Sequence, residues 1–189
     1  MSTTGIIVAA VIALAVLLLV WFIATYNRLI RRRNQVQASW AQIDVQLKRR
    51  YDLIPNLVET VRGYAAHEAG TLEAVVRARG TAVASAGADP AARAAAETAL
   101  TSALGRLLAL AEAYPNLQAN ANFRELQGEL ANTEDKIAYA RQFYNDTVRS
   151  YNTSLQSFPT NMIAKQFGFS AREYYEAGDE SRGPVQVKF

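Results

Sequence analysis

The sequence predicts an all-α protein, with an N-terminal transmembrane helix followed by an antiparallel bundle of three to four long helices. Three observations support this fold class. Residues 6–24 carry no charged side chain, apolar residues recur every three or four positions in the rest of the chain, and alternating β-branched segments are scarce. Because recurrence at three and four places apolar side chains on one face of a helix, it favours helices that pack against one another.

The apolar run at residues 6–24 predicts a membrane span. A helix rises ~1.5 Å per residue, so this run extends ~28 Å, close to the ~30 Å hydrocarbon core of a bilayer. A cleaved signal peptide is the alternative, but residues 1–5 have no basic side chain and no small-x-small cleavage site follows the run. We therefore expect a retained anchor, with Trp21 and Tyr26 at the headgroup level.

A basic cluster directly after the run predicts its orientation. The cluster consists of Arg28, Arg31, Arg32 and Arg33, whereas residues 1–5 are uncharged. Because basic residues near a span favour the cytoplasmic side, the N-terminus is expected outside and the C-terminal body in the cytoplasm. The chain has 20 basic and 17 acidic residues. Since much of the excess lies beside the span, the predicted partner is the lipid bilayer and not a nucleic acid.

The first helix of the body is expected to continue from the anchor, because no Gly or Pro intervenes between Ala24 and Tyr51. Its apolar residues are spaced by four, three and four: Val36, Trp40, Ile43 and Leu47. Pro55 interrupts the pattern because proline lacks the amide donor of a helix interior. It is either a hinge where the helix kinks, or part of a new helix capped by Asp52.

Breaks in the pattern delimit the remaining helices. Residues 84–90 predict a loop, after which Asp89 caps a helix that begins at Pro90. A helix start is expected near Asn116–Asn122, and the longest pattern then runs from Phe123 to Phe158.

We expect an N-terminal tip and anchor at residues 1–27, a helical-bundle domain at 28–169, and an irregular or partly disordered tail at 170–189. The first half of the tail is expected to dock on the bundle through its aromatic residues, together with those just before it: Phe167, Phe169, Tyr174 and Tyr175.

Residue sets for catalysis, metal binding or cofactor binding are not recognisable, so no such site is predicted. His67 is the single histidine, and Thr71 stands where a zinc-binding helix needs its second histidine. The absence of cysteine excludes disulfides, thiolate metal sites and cysteine nucleophiles. Glu134 and Asp135 form the carboxylate pair that a metal-dependent hydrolase would use, although a salt-bridged surface is the favoured interpretation.

Two further groups of residues are candidates for interaction, and one residue is a candidate hinge. Trp40 on the apolar stripe predicts a core or oligomer contact. Lys48, Arg49 and Arg50 follow the span by more than ~30 Å of helix, so we expect them to bind carboxylates of a partner protein and not lipid headgroups. Pro55 is the predicted hinge.

Three blocks of sequence resemble the LemA family. They cover residues 33–68 (RNQVQASWAQIDVQLKRRYDLIPNLVETVRGYAAHE), 114–152 (YPNLQANANFRELQGELANTEDKIAYARQFYNDTVRSYN) and 158–169 (FPTNMIAKQFGF). The resemblance implies a bacterial cell-membrane protein with a helical-bundle body, no established catalytic activity and no agreed catalytic residues. It also implies a scaffolding or membrane-organising role, since a relative in magnetotactic bacteria is tied to forming magnetosome membranes.

The predicted function is that of a non-enzymatic membrane-anchored scaffold or membrane-organising protein that self-associates at the cytoplasmic face of the bacterial inner membrane. The expected partners are the bilayer, further copies of the chain, and another membrane protein. A signalling or sensor component is the alternative, although only about five residues precede the span and few ligands could bind to so short a segment.

Overall fold

The structure is a computed structural model that describes residues 3–175, and these residues form helices without a strand. The helices are α1 (Thr3–Arg62), α2 (Ala69–Ala84), α3 (Pro90–Ala111), α4 (Pro115–Ala119), α5 (Ala121–Gln156) and α6 (Thr160–Gln166), with a 3₁₀ turn at Ser85–Gly87. The all-α prediction is confirmed over this range, while the antiparallel order of a bundle stays a prediction.

Helix α1 continues from the apolar run through Pro55 to Arg62, so the predicted continuity is confirmed. The alternative of a new helix capped by Asp52 is wrong, because the Asp52 carboxylate instead accepts a hydrogen bond from Lys48 Nζ at 3.1 Å. Proline at position 55 cannot donate to the carbonyl of Tyr51, four residues back. Arg79 Nε donates to that carbonyl at 2.8 Å, so a side chain from α2 replaces the missing backbone donor.

The caps of α3 and α5 follow the sequence prediction. Asp89 Oδ1 accepts from the backbone N–H of Ala92 at 2.8 Å, with Pro90 at the start of α3. Asn120 Oδ1 accepts from the backbone N–H of Phe123 at 3.0 Å. Each carboxyl or amide oxygen satisfies a donor that the first turn of a helix leaves unpaired, so these residues determine where α3 and α5 begin.

The contacts divide the described residues into two compact units, and both α1 and α5 contribute to each of them. Unit 1 contains residues 3–39 and 145–173, and unit 2 contains residues 40–144 and 174–175. In unit 1, Leu29 packs against Ile163 and Ala164 of α6. The core of unit 2 draws on α1, α2, α3 and α5; its fully buried apolar side chains include Ile43, Leu47, Ile54, Val61, Val75, Leu100, Leu107 and Ile137.

The predicted tail is only partly covered. Tyr175 is buried in unit 2, and in unit 1 the rings of Phe167 and Phe169 contact Tyr26. Tyr26 belongs to the predicted anchor segment, so docking of the tail on the bundle stays a prediction. Tyr174 is largely exposed. Residues 169–175 are not helical, and residues 176–189 of the predicted tail lie outside the described residues.

Candidate functional site

The apolar segment of α1 is exposed along most of its length, and only its last turns, at Phe22, contact another part of the described chain. This is the single helix among residues 3–175 that is long and apolar enough to cross a membrane, and none of its most apolar 18-residue window is buried. A soluble domain of this size buries its most apolar helix, because exposed apolar area costs about 25 cal/mol per Å². A bilayer supplies an apolar environment in which a segment of this length and composition is stable.

At the end of the apolar segment, unit 1 holds a group of aromatic rings. The ring centroid of Phe22 lies 5.8 Å from that of Phe167, and the ring of Tyr26 lies 5.1 Å from the same residue. These contacts place the C-terminal end of α6 beside the last turns of the apolar segment. Phe158 and Met162, near the start of α6, expose 79% and 64% of their surfaces.

The arginines of the basic cluster differ in their surroundings. Arg33 lies over the ring of Phe169, 5.6 Å from its centroid. Arg32 Nη1 donates to the backbone carbonyl of Ser150 at 2.9 Å. Arg28 and Arg32 both line a cavity of about 240 Å³, whereas Arg31 is exposed and does not. Trp21 is 42% exposed. Their assignment to the membrane interface stays a prediction.

Unit 2 contains a buried ion-pair network around Arg50. The side chains of Arg50 and Glu97 are both fully buried, with Arg50 Nη1 3.3 Å from Glu97 Oε2. Arg50 Nη2 donates to Thr101 Oγ1 at 2.7 Å, and Arg50 Nε forms an ion pair with Glu134 Oε1 at 2.8 Å. The hydroxyl of Tyr51 donates to the other oxygen of Glu97. A buried guanidinium is tolerated here because carboxylates and a hydroxyl surround it.

A second buried arginine joins α3 to the aromatic residues of unit 2. Arg93 is 2% exposed, forms an ion pair with Asp44, and lies 5.2 Å from the centroid of the Trp40 ring. The Trp40 ring meets Tyr144 edge-on at 5.1 Å and lies 6.0 Å from Tyr175. Trp40 is partly buried and makes these contacts inside unit 2, while its role as a core or oligomer contact stays a prediction. A cation over an indole face contributes about 0.5–2 kcal/mol, so Trp40 also helps to hold a buried charge.

Burial shifts several pKa values in this network. Burial lowers the pKa of Arg50 below its usual value, although the nearby carboxylates of Glu134 and Glu97 partly offset this decrease. Burial and the bond to Glu97 raise the pKa of Tyr51 well above its usual value. Burial also raises the pKa of Glu134, although Arg50 and Arg141 oppose that change. Each shift has burial as its main cause, and the neighbours of opposite charge oppose it for Arg50 and Glu134.

The structure changes the interpretation of the predicted basic interaction site. Arg50 is not available to a partner protein, so its prediction is corrected: the side chain is fully buried and paired inside unit 2. Lys48 is exposed and forms an ion pair with Asp52, and Arg49 forms an exposed pair with Glu129. Lys48, Arg49 and the Pro55 hinge stay predictions.

The spacing of the buried charged residues along their helices could have predicted their burial. Arg50 lies between Leu47 and Ile54 at the spacing of the apolar stripe, and Arg93 and Glu97 precede Leu100 at the same spacing on α3. A charged side chain at a core position is almost always paired with a buried side chain of opposite charge.

The predicted carboxylate pair is not arranged as a metal site. Glu134 faces Arg50 within ion-pair distance, while Asp135 is exposed. Among residues 3–175, no group of three or more His, Cys, Asp and Glu side chains is arranged to hold a metal ion. A cavity of about 260 Å³ lies beside Arg50 and Glu134 and is otherwise lined mainly by apolar side chains, among them Leu104, Leu108 and Leu130.

We expect the titration of Glu134 to affect stability. Its pKa is raised above the ordinary value of 4.5 in the folded chain. Between pH 4.5 and the raised pKa, the carboxyl of Glu134 is protonated in the folded state and ionised in the unfolded state. The contribution of Glu134 to the free energy of unfolding therefore falls as pH rises through this range. The difference between the wild type and Glu134→Gln, measured by urea unfolding in detergent from pH 4 to 8, should decrease through that window. A difference that is flat or increases with pH would contradict this assignment.

Comparison with known proteins gives consistent results. A family model described as the LemA family matches residues 39–189. Magnetosome protein MamQ of Magnetospirillum gryphiswaldense is 29% identical, over 91% of this chain and 75% of its own length. Magnetosome protein MamQ 2 of Paramagnetospirillum magneticum is 30% identical over the same shares of 91% and 75%. Protein LemA of Metamycoplasma hominis is 24% identical, over 88% of this chain and 75% of its own length. Since the family model covers most of the sequence and agrees with the blocks recognised in it, the chain belongs to the LemA family.

Proposed function

We propose that this protein is a non-enzymatic, membrane-anchored scaffold or membrane-organising protein that self-associates at the cytoplasmic face of the bacterial inner membrane. The observation that carries the proposal is the apolar segment of α1, none of which is buried by the described chain. A chain with such a segment is retained at the bilayer, and the helices that follow are held close to its surface. The sequence similarity to magnetosome protein MamQ supports the proposed role in organising a membrane.

Self-association is supported by exposed aromatic surface in unit 2. Tyr139 and Phe143 lie one turn apart on α5 with nearly parallel rings, 6.5 Å between centroids and 10° between planes. Tyr139 exposes 70% of its surface. Aromatic side chains are enriched in interfaces between proteins, because they bury much area with few rotatable bonds. A second copy of the chain is the proposed occupant of this surface, and another membrane protein is the further candidate partner.

The mass of the complex in mild detergent tests self-association. We expect the full-length protein to elute as an oligomer, and Tyr139→Ser to shift it towards the mass of one chain. Val76→Ser is the matched control, because Val76 is 51% exposed and lies on α2, whereas the aromatic pair lies on α5. A wild type that is strictly monomeric, and that crosslinks to no partner in cells, would overturn the scaffold proposal.

Because the chain contains no cysteine, single cysteines can report its topology. We expect a membrane-impermeant maleimide to label Thr4→Cys in intact cells, and to label Ala138→Cys only after lysis. Labelling of Ala138→Cys in intact cells would reverse the proposed orientation. Recovery of the protein in the supernatant of a carbonate wash would refute the anchor itself.

A further inference from the structure

The cavity in unit 1 that is lined by Arg28 and Arg32, called here the headgroup pocket, has the composition of a phosphate site. Its volume is about 240 Å³, and its lining contains two arginines and five hydroxyl side chains beside Leu29, with no carboxylate. The hydroxyls come from Thr25 on α1 and from the end of α5 and start of α6: Thr153, Ser154, Ser157 and Thr160. The pocket therefore depends on the packing of α5 and α6 on α1.

The positive charge of the headgroup pocket is not neutralised within the described chain. Among residues 3–175, no carboxylate forms an ion pair with Arg28 or Arg32. This differs from Arg50 and Arg93 of unit 2, each of which has a carboxylate partner. Burial and the neighbouring Arg28 both lower the pKa of Arg32, so the two guanidinium groups are close enough to repel one another. An anion between them would relieve this repulsion.

Some lining groups are already occupied by the backbone, and others are free to bind a ligand. Ser154 Oγ donates to the carbonyl of Ser150, and Ser157 Oγ donates to that of Thr153, both at 2.7 Å. Arg32 also donates one bond to Ser150, which orients its guanidinium and leaves its other N–H groups unused. No hydrogen bond within residues 3–175 involves the side chains of Arg28, Thr25, Thr153 or Thr160. These are the donors that a phosphate group requires.

The pocket begins at the depth where lipid phosphates are found. Measured along the helix from Ala24, the last residue of the apolar run, Arg28 lies ~6 Å and Arg32 ~12 Å beyond it. The headgroup layer on each side of a bilayer is ~5–8 Å thick, so the backbone of Arg28 lies within this layer and that of Arg32 lies beyond it. The Cα–Cβ bonds of a helix tilt towards its N-terminus, which directs the side chain of Arg32 back towards the layer. The contact of Phe167 with Phe22, which is itself in the apolar run, independently places the end of α6 at the same edge of the bilayer.

We propose that the headgroup pocket binds one phosphate group, and that the phosphodiester of an anionic membrane lipid is its source. Arg28 and Arg32 would bind the phosphate oxygens, and the hydroxyls of Thr25, Thr153 and Thr160 would donate to the phosphate or the adjoining glycerol. The proposal rests on the anchoring of α1 in the bilayer proposed above. It goes beyond the diffuse attraction of basic residues to a membrane, because it requires a stoichiometric site with named hydroxyl donors.

The test is lipid binding to the full-length protein in a non-ionic detergent, counted by native mass spectrometry. Phosphatidylglycerol is titrated against phosphatidylcholine, and inorganic phosphate is added in a separate arm. We expect one retained phosphatidylglycerol per chain, bound in preference to phosphatidylcholine. Loss of one charge-assisted contact should make Arg28→Gln bind about tenfold more weakly. Arg31→Gln is the matched control, because it removes the same charge three residues away and outside the pocket; its affinity should change less than about twofold.

A second variant separates a built site from general electrostatics. Thr153→Val leaves the net charge unchanged and removes one hydroxyl, and we expect binding to weaken about threefold or more. Equal losses in Arg28→Gln and Arg31→Gln, or no loss in Thr153→Val, would overturn the pocket. Inorganic phosphate that binds as tightly as the lipid would overturn the lipid source.

Two further measurements on the same variants, a carbonate wash and reconstitution into vesicles, distinguish failure of the pocket proposal from failure of the proposed anchor. Protein that is retained in vesicles but shows no preference among lipids refutes the pocket alone. Protein that is not retained refutes the anchor, and with it the basis of this inference.

Discussion

Replacing Glu97 with alanine is expected to lower the free energy of unfolding by about 3–5 kcal/mol, because it leaves the buried charge of Arg50 with a single carboxylate partner. Glu97 and Arg50 are both fully buried. The hydroxyl of Tyr51 also loses its carboxylate acceptor in this variant and keeps only the longer bond to the carbonyl of Ala82, at 3.4 Å, which adds to the loss. Urea unfolding of the full-length protein in detergent, followed by circular dichroism at 222 nm, measures the change.

The control for this variant is Glu129→Ala. Glu129 pairs with Arg49, the neighbour of Arg50 on α1, but both side chains of that pair are more than 40% exposed. An exposed ion pair contributes about 0–1 kcal/mol, so the control should remain close to the wild type. Equal losses in the two variants would mean that the network around Arg50 is hydrated and not buried.

Replacing Leu29 with alanine is expected to cost about 2–5 kcal/mol and to loosen α6 from α1. Leu29 is 1% exposed and packs against Ile163 and Ala164 of α6, with Phe22 and Tyr26 at the edge of the cluster. Removal of its side chain leaves a cavity in a core that contains few other residues. Hydrogen exchange should therefore become faster in residues 160–169 than elsewhere in the chain. This is a local effect, and it should also weaken the headgroup pocket, to which Leu29 contributes.

Val45→Ala is the matched control, since Val45 lies on the same helix and is 63% exposed. A substitution at such a position changes stability by no more than about 0.5 kcal/mol. Unchanged exchange in residues 160–169 of Leu29→Ala would show that α6 is held by other contacts.

Much of the local structure was predictable, because helix formation follows rules that act over a few residues. The apolar run, the caps Asp89 and Asn120, and the break before Pro90 depend on neighbours within one or two turns, and the structure agrees with each of them. Pro55 shows where such rules fail. Its effect on α1 was ambiguous, since the donor that compensates for it comes from Arg79, which is 28 residues from the affected carbonyl of Tyr51.

The interaction sites were harder to predict, because the role of a charged side chain depends on what faces it. Arg49 and Arg50 are adjacent in the sequence and chemically identical, yet one is nearly half exposed and the other is fully buried against Glu97 and Glu134. The spacing of Arg50 with Leu47 and Ile54 indicated a buried position. It did not identify the two carboxylates that pair with Arg50. These belong to Glu97 and Glu134, which follow Arg50 in the chain by 47 and 84 residues.

The amino-acid sequence alone was sufficient to assign the all-helical class, a segment long and apolar enough to span a membrane, the helix caps and the family, since each depends on short-range pattern or direct similarity. Packing in three dimensions decided which arginines are buried structural charges and which, next to the apolar segment, have no carboxylate partner among the described residues. The physical reason is that desolvation and ion pairing act between residues distant in the chain, and they depend on which helix faces cover one another.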